Sequence, residues 1–425
     1  MRIILQLFLL LLFTSAGFAQ STYLHCGRLI DATSKEVKER MTVVVTGNKI
    51  ERIVSGYTTV PSGSKGVDLK QHTVMPGLID MHVHIEGQTS PKRYEEGFRM
   101  NPADVALRST VYANTTLMAG FTTVRDLGGS GVNVSLRNAI NRGYVPGPRI
   151  YTCEKAIGTT GGHADPTNGI RKDLMGDPGP KEGVVNSPED AKKAVRQRYK
   201  NGADVIKITS TGGVLSVAKD GMGPQFQEDE LAAIVETAND YGFVTAAHAH
   251  GAEGMKRAVM AGINTIEHGT FMTEEIMDLM VEKGTYFVPT ITAGKSVVEL
   301  AKKPGYFPAV IVPKALAVGP QSQNTFAKAF KKGVKIAFGT DAGVFPHGEN
   351  AREFIYMTEV GMPTIDAILS ATKVASEALR IDDEIGTLEA GKWADIIAVE
   401  GNPLNNIELM LDVQFVMKNG KIYKQ

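Results

Sequence analysis

Short apolar segments alternate with helical patterns across residues 76–385, and this alternation constrains the fold more than any other feature. Strand–helix alternation is typical of parallel βα units. Eight predicted strands end near His84, Asp126, Cys153, Ile208, His248, His268, Thr290 and Asp341. Eight such units predict an α/β fold with a (β/α)8 TIM barrel. An open doubly wound sheet is the alternative, although we find no Gly-x-Gly-x-x-Gly pattern at a first strand–helix turn.

Two of the intervening helices have clear boundary signals. Ser187 followed by Pro188 combines an N-cap with proline at the first helical position, and predicts a helix that runs to about Asn201. Thr273 predicts the start of another helix, which ends at Gly284.

The two ends of the chain have a different texture. Residues 20–75 contain short alternating segments broken by turn signals such as Gly47-Asn48, and residues 386–425 contain similar segments with a turn at Asn419-Gly420. Neither end can bury its apolar face alone. We therefore predict that both ends form one small β-sandwich domain, while residues 76–385 form the barrel domain.

Residues 1–19 have the features of an export signal. Arg2 precedes an apolar run, and Gly17-Phe18-Ala19 supplies small residues before a cleavage site. The run is shorter than the about 20 apolar residues of a membrane span. We expect a periplasmic or secreted protein with no stable membrane span after cleavage. An uncleaved anchor is the alternative.

Charge and cysteine content exclude several classes of protein. Lys plus Arg and Asp plus Glu number 46 each, so no charge excess favours nucleic acid or an acidic membrane as a partner. Cys26 and Cys153 are the only cysteines and fit no metal spacing, which excludes a disulfide framework. The fold must depend on its hydrophobic core, which the 43% apolar content permits. The sequence leaves homo-oligomerisation open.

Ligand-type side chains occupy the predicted carboxyl ends of the strands, where the active sites of such barrels lie. His82 and His84 are two residues apart on one strand and therefore point from the same face. The other members of the set are Lys207, His248, His268 and Asp341. A single histidine is more often an ordinary core or surface residue. Four imidazoles and a carboxylate on one rim instead predict a site for a metal such as zinc.

Lys207 is the unusual member of this set. An ammonium that points at metal ions would be repelled, and its burial would be costly. A neutral amine can react with carbon dioxide, and the resulting carbamate carries two anionic oxygens that can bridge two metals. The alternative is a lysine that pairs with a nearby Asp or Glu.

Several of these segments together resemble the amidohydrolase superfamily. They are Pro76-Gly77-Leu78-Ile79-Asp80-Met81-His82-Val83-His84, Val205-Ile206-Lys207, His248-Ala249-His250-Gly251, Thr265-Ile266-Glu267-His268-Gly269 and Gly339-Thr340-Asp341. Residues 386–395 are similar to the segment by which that family returns from barrel to sandwich, so the resemblance covers nearly all of the mature chain. More narrowly, Lys207 and Gly161-Gly162-His163-Ala164-Asp165 are similar to the exported Xaa-Pro dipeptidase and imidazolonepropionase-like branch.

The resemblance implies a binuclear metal site with two divalent metal ions, expected to be Zn²⁺. His82, His84 and Asp341 would hold one ion, His248 and His268 would hold the other, and carbamylated Lys207 would bridge them. A hydroxide between the ions would be the nucleophile, since bound Zn²⁺ lowers the pKa of water to about 7. Asp341 would take the hydroxide's proton during attack on the amide carbonyl and then deliver it to the leaving amine.

Two further histidines and two long connections surround this predicted site. His163 and His250 are candidates for contacting the substrate, at its carboxylate or at the oxyanion; the alternative is that each orients a metal ligand by a hydrogen bond. Residues 158–185 are rich in Gly and Pro and are predicted to form a lid or specificity wall. Residues 292–323 are predicted to form a second wall.

The sequence thus predicts an enzyme, an exported metal-dependent amidohydrolase that acts on dipeptides or N-acyl amino acids in the manner of Xaa-Pro dipeptidases and carboxypeptidases. Hydrolysis of a cyclic amide, as in imidazolonepropionase relatives, is the alternative, and export argues against it. A non-catalytic barrel scaffold is a further alternative, but such a protein should have lost some of the ligands. The expected partner is a small-molecule or dipeptide substrate.

Overall fold

The computed structural model describes residues 20–218 and 221–425. The predicted export signal at residues 1–19 lies outside the described residues. Among the helices in the described part of the chain, none combines the length and the apolar character that crossing a membrane would require.

Strands and helices alternate through the middle of the chain, and strands dominate both ends. The strands are β1 (Ser21–Leu29), β2 (Lys38–Thr46), β3 (Lys49–Ser55), β4 (Lys65–Pro76), β5 (Leu78–Val83), β6 (Phe121–Asp126), β7 (Arg149–Thr152), β8 (Val205–Thr209), β9 (Val244–Ala249), β10 (Thr265–His268), β11 (Tyr286–Val288), β12 (Ile396–Glu400), β13 (Val413–Lys418) and β14 (Lys421–Lys424). The helices are α1 (Arg93–Arg99), α2 (Pro102–Met118), α3 (Val132–Asn141), α4 (Lys172–Met175), α5 (Pro188–Asn201), α6 (Glu228–Asp240), α7 (Ala252–Met260), α8 (Glu274–Lys283), α9 (Ile291–Ala301), α10 (Ile311–Lys332), α11 (Arg352–Glu359), α12 (Thr364–Ser370) and α13 (Lys373–Leu379), with a 3₁₀ helix at Ile407–Leu411.

Both ends of the chain contribute to one seven-stranded sheet, in the order β14-β13-β12-β4-β1-β2-β3. β1 and β4 are parallel, and the other neighbours are antiparallel. The sheet is curled, since its edge strand β3 reaches the segment before β12: the Ile50 amide donates to the Lys392 carbonyl at 2.9 Å. Alternate apolar side chains, among them those of Leu24, Val43 and Phe415, fill the interior of this curl. The predicted sandwich strands therefore form a single hydrogen-bonded ladder.

The segment that leads from this sheet to the first ligands consists of two strands with a break at Gly77. β4 continues through Pro76, one residue beyond the predicted boundary, because Pro76 still pairs with Ile396 of β12. A Cβ atom at Gly77 would lie 2.1 Å from Thr122 Oγ1, so only glycine fits where the chain passes this side chain. β5 then begins with a new set of neighbours.

The middle of the chain contains two parallel sheets, β5-β6-β7 and β11-β10-β9-β8. Isolated parallel bridges connect them, from Ile157 to Ile208 on one side and through residues 336–342 on the other. The predicted eighth strand is wrong as a regular strand, although residues 335–341 hydrogen-bond the backbones of both neighbours: the Phe287 amide donates to the Lys335 carbonyl at 2.8 Å, and the Asp341 amide donates to the His82 carbonyl at 2.7 Å. The carboxylate of Asp80 binds the amide and hydroxyl of Thr340, and this side-chain pairing takes the place of a ladder hydrogen bond.

The predicted helix starts are confirmed at both sites. Ser187 Oγ accepts a hydrogen bond from the Asp190 amide at the start of α5, and Thr273 Oγ1 accepts one from the Ile276 amide at the start of α8. α8 ends before Gly284, whose φ of 72° is left-handed. Residues 292–323 are largely helical, in α9 and α10, whereas residues 158–185 are mostly irregular and contain only the short helix α4.

Candidate active site

One cavity of about 270 Å³ lies at the carboxyl ends of the parallel strands, and all eight predicted site residues line it. They are His82, His84, His163, Lys207, His248, His250, His268 and Asp341. Residues that are up to 259 positions apart in the sequence therefore meet at one place. Such a cavity with converging polar groups is typical of an active site.

Three side chains are arranged as a metal site requires. Ligand atoms of His82, His268 and Asp341 lie within 4.8 Å of one another. His84 Nε2 is 3.3 Å and His82 Nε2 is 3.6 Å from Asp341 Oδ1. Although Asp341 Oδ1 is buried, it accepts no well-formed hydrogen bond from the described residues. A buried carboxylate oxygen with this arrangement of imidazoles suits a divalent cation.

The far nitrogen of each imidazole is held by the protein. Nδ1 of His82 donates to Glu267 at 2.9 Å, and Nδ1 of His84 donates to the Gly128 carbonyl at 2.9 Å. Nδ1 of His268 is 2.7 Å from the Thr290 hydroxyl. These contacts leave Nε2 of each ring for the cavity. His248 is held by the opposite atom, since its Nε2 donates to the Gly212 carbonyl at 3.1 Å, which leaves Nδ1.

The charge states of these groups are suited to cations. Burial lowers the pKa of His82 to about 4, so this imidazole is neutral at pH 7, the form that binds a metal. Burial alone would raise the pKa of Asp341, but the neighbouring imidazoles of His82 and His84 outweigh it and lower the value to about 2. Asp341 is therefore an anion at neutral pH.

Two of the ligands adopt left-handed backbone conformations, with φ of 69° at His268 and 63° at Asp341. This conformation costs an L-residue about 1–2 kcal/mol. At His268 it breaks the alternation of β10, so that Glu267 hydrogen-bonds His82 while the His268 ring also packs on His82, 5.0 Å between centroids. Regular alternation would place these two side chains on opposite faces.

Lys207 is only 3% exposed, and its Nζ lies 3.5 Å from His82 Nε2. Within the described ranges no carboxylate lies close enough to Lys207 to form an ion pair, which leaves the alternative of an Asp or Glu partner without support. Burial lowers the pKa of this amine, and a lowered pKa increases the neutral fraction that can react with carbon dioxide.

A buried ion pair under the ligands was missed in the sequence analysis. Arg125 of β6 donates to Glu267 at 2.8 Å and to the Met81 carbonyl at 2.6 Å, and both charged side chains are completely buried. Glu267 in turn holds His82. The available signal was a charged residue inside each of two apolar strands, but nothing local in the sequence joins positions 125 and 267.

His163 and His250 lie beside the ligands rather than apart from them. The His163 ring stacks on His248 with 4.3 Å between centroids, and its Nδ1 is buried without a hydrogen bond from the described residues. His250 Nδ1 is 2.8 Å from the Thr270 hydroxyl. Their predicted roles toward the substrate are compatible with these positions.

The remaining walls of the cavity are mostly apolar. α9 contributes Ala293 and Val297, α10 contributes Val318, and the segment after β8 contributes Val214 and Leu215. The predicted second wall at residues 292–323 thus lies against the cavity. From residues 158–185 only His163 and Ala164 line it.

Comparison with known proteins agrees with this geometry. The model of the Amidohydrolase family matches residues 73–423. Ochratoxinase of Aspergillus niger is 32% identical over 438 residues, which cover 97% of this chain and 89% of the relative.

Two solved structures are also similar over almost their whole length. A Xaa-Pro dipeptidase with bound methionine in the active site is 52% identical, with a TM-score of 0.93, and the match covers 96% of this chain and 100% of that one. A prolidase complexed with N-methylphosphonate-L-proline is 32% identical, with a TM-score of 0.87 and the same coverage. The chain therefore belongs to the amidohydrolase family, in its dipeptidase-like branch, and is a hydrolase of amide bonds.

Proposed function

We propose that this protein is a binuclear metal-dependent amidohydrolase that cleaves dipeptides or N-acyl amino acids and releases the C-terminal residue. The observation that carries the proposal is the convergence on one cavity of four hydrogen-bonded imidazoles, an ionised carboxylate and a buried lysine that has no counter-ion among the described residues. The names of the similar dipeptidase, prolidase and ochratoxinase support the substrate class.

The fold that we propose for this activity is a closed (β/α)8 barrel with a β-sandwich built from residues 20–75 and 386–425. The parallel bridges at Ile157, Ile336 and Ala342 support closure, because they connect the two parallel sheets in cyclic order. Closure places all the strand ends on one rim, which is where the ligands lie.

His82, His84 and Asp341 would hold one divalent cation, expected to be zinc, while His248 and His268 would hold the second and carbamylated Lys207 would bridge the two. When bound, the two ions supply an activated water and a Lewis acid for the amide carbonyl. The neutral imidazole of His82 and the anionic Asp341 fit these ions without a further change of protonation. Burial alone would lower the pKa of His84, but its hydrogen bond to Asp341 and the charge of that carboxylate outweigh burial and raise the pKa, so His84 would give up its proton on binding.

The side chains themselves carry the proton transfers and the positioning. Asp341 is ionised and its Oδ1 accepts no well-formed hydrogen bond from the described part of the chain, so this oxygen can accept a proton from the attacking water and deliver it to the leaving nitrogen. His163 and His250 border the same space and would contact the oxyanion and the carboxylate of the substrate. The apolar side chains of α9 and α10 that line the cavity, Ala293, Val297 and Val318, limit the access of water to it.

Replacement of Lys207 by Ala tests the bridging role. The purified enzyme is reconstituted with zinc and bicarbonate, and bound zinc is measured by mass spectrometry together with amide hydrolysis. We expect a loss of bound zinc and a fall in kcat/KM of about 100-fold or more, because the bridge that joins the ions is removed. Lys193→Ala, an exposed lysine of α5, is the matched control. Full zinc occupancy with full activity in Lys207→Ala would refute the bridging role.

A substrate panel tests the reaction itself. Dipeptides and N-acyl amino acids are compared with cyclic amides and lactones on the zinc-loaded enzyme. Faster turnover of the cyclic compounds would replace our assignment by the cyclic alternative, and the absence of both turnover and bound metal would favour a scaffold. We also propose export to the periplasm or medium, which cell fractionation with N-terminal sequencing of the mature protein would check.

A further inference from the structure

A second cavity, of about 370 Å³, adjoins the catalytic cavity. It lies beside α1 and α2, and the two cavities share four lining residues: His84, Arg93, Gly128 and Val344. His84 is a predicted ligand, so the second cavity begins directly at the metal site. Its volume suits a small organic group.

Arg93 is the first residue of α1, and contacts on two sides hold this helix beside the junction. The Tyr94 hydroxyl donates to the Leu215 carbonyl at 2.9 Å, which ties α1 to the segment above the catalytic cavity. Glu96 pairs with Arg108 of α2 at 2.6 Å, which ties α1 to the other side. The position of α1, and with it the Arg93 backbone, is therefore fixed on both flanks.

The charges around the second cavity are unequal. The Glu86 carboxylate accepts hydrogen bonds from the Ser130 and Asn133 amides, at 2.8 and 2.6 Å, and the Glu96 carboxylate is occupied by Arg108. Arg93, by contrast, forms no ion pair with any carboxylate in the part of the chain that the structure describes. Among the described residues, Arg93 is thus a cation without a carboxylate partner that lines both cavities, whereas Glu86, held by amides alone, lines only the second cavity and Asp341 lines only the catalytic cavity.

The proposed function sets which part of the substrate meets this cation. His163 and His250, the expected contacts of the oxyanion and the carboxylate, lie around His248 and His268. The leaving amino acid then occupies that side, and the acyl portion extends past His84 toward Arg93. In a free dipeptide, the α-ammonium is attached to the carbon next to the scissile carbonyl and would lie close to the guanidinium.

Resting on the proposed function, we infer that the two cavities form one cleft and that Arg93 selects substrates whose acyl portion is uncharged or anionic. The preferred substrates are then N-acyl amino acids and N-blocked peptides, and free dipeptides are disfavoured by charge repulsion. Water adds to the acyl carbon, the carbon–nitrogen bond breaks, and the amino acid leaves with the proton. Arg93 is a specificity residue and takes no part in these bond changes.

Matched substrates test this inference on the zinc-loaded enzyme. Ala-Phe, Ala-Met and Ala-Pro are compared with their N-acetyl and N-succinyl forms, so that the leaving residue is constant within each set. At pH 7 we expect kcat/KM to favour the blocked forms by about tenfold or more, which corresponds to about 1.4 kcal/mol. The difference should narrow above pH 8, because an α-amino group with a pKa of about 7.7–8.0 loses its charge there.

Arg93→Gln is expected to reduce the blocked-to-free ratio at least fivefold and to weaken its pH dependence. Arg99→Gln removes the same charge from the same helix but lies outside both cavity linings, and it should leave the ratio unchanged. Arg93 is exposed and unpaired within the described residues, so its replacement should not disturb folding. Equal or faster cleavage of free dipeptides by the wild type, or equal ratios in the two variants, would overturn the inference while the proposed function stands. Failure to cleave any member of the panel would overturn the proposed function and this inference with it.

Discussion

Removal of the Glu267 carboxylate is the strongest test of the buried network beneath the ligands. Glu267 accepts hydrogen bonds from Arg125 at 2.8 Å, from the Thr265 hydroxyl at 2.5 Å and from His82 at 2.9 Å. Arg125 and Glu267 are both 0% exposed. Glu267→Ala would therefore leave a guanidinium in the interior without a counter-charge.

The loss of stability in Glu267→Ala can be derived in two ways. Breaking a buried ion pair by removing one partner costs about 3–5 kcal/mol. Burial alone would raise the pKa of Glu267, but Arg125 and the hydrogen bond from His82 outweigh it and lower the value from 4.5 to about 2. At 1.36 kcal/mol per pKa unit, this lowering corresponds to about 3 kcal/mol. The net contribution of the pair is smaller, because burial of the Arg125 guanidinium itself is unfavourable.

The assay is urea unfolding of the metal-free protein at pH 7, followed by circular dichroism. We expect Glu267→Ala to lower the free energy of unfolding by about 3–5 kcal/mol. Glu282→Ala removes a glutamate whose side chain is 69% exposed and which pairs with Lys283, and it should change the free energy of unfolding by less than about 0.5 kcal/mol. If both variants unfold at the same urea concentration, the reasoning about the buried pair is refuted.

The same pair gives a pH dependence with a definite sign. A carboxyl group whose pKa is lower in the folded state stabilises the protein above its unfolded pKa and loses this contribution as the pH falls. The window for Glu267 runs from about 4.5 down to about 2. The stability difference between wild type and Glu267→Gln should therefore shrink within this window, and a constant difference would contradict the lowered pKa.

The remaining predictions concern the two walls of the cavity. In Gly213→Ala the new Cβ would lie 2.2 Å from the His163 ring, so we expect a higher KM with unchanged bound zinc. Gly179→Ala places its Cβ in open space and should match the wild type. An unchanged KM in Gly213→Ala would exclude a substrate role for His163. Glu353 accepts hydrogen bonds from the Ile291 and Thr292 amides, both at 2.7 Å, so Glu353→Ala should lower the free energy of unfolding by about 2 kcal/mol or more in the urea assay. Glu299→Ala, at an exposed position of α9, is its control, and equal unfolding of the two variants would show that the start of α9 does not depend on Glu353.

The sequence predicted those parts of the fold and site that follow from local periodicity. His82 and His84 share a face because a strand repeats every two residues, and all eight predicted site residues line one cavity because strand ends in βα units lie on one side. Ser187 and Thr273 marked helix starts because a hydroxyl at the N-cap accepts an orphan amide hydrogen bond.

Features that depend on distant partners could not be predicted in this way. Arg125 and Glu267 are 142 positions apart, and their pairing is visible only in the folded chain. The eighth strand is interrupted at Thr340, whose amide and hydroxyl bind Asp80, 260 positions away, while the backbone on either side still hydrogen-bonds the neighbouring strands. Arg93 was missed since an arginine on a polar helix carries no sign that two cavities meet beside it.

The cavity is identified as a site most strongly by the unfavourable features concentrated there. His268 and Asp341 hold left-handed conformations, Asp341 Oδ1 is buried without a well-formed hydrogen bond from the described residues, and Lys207 is buried with no counter-ion among them. Each feature costs stability by itself, and sequences that fold for stability alone avoid such local conflicts. Their occurrence within one cavity is explained if cations and an anionic carbamate are part of the working enzyme. The Asp341 carboxylate and the carbamate on Lys207 would then both have the cations as partners. The strain is thus an argument for the metal-dependent function that is independent of any motif.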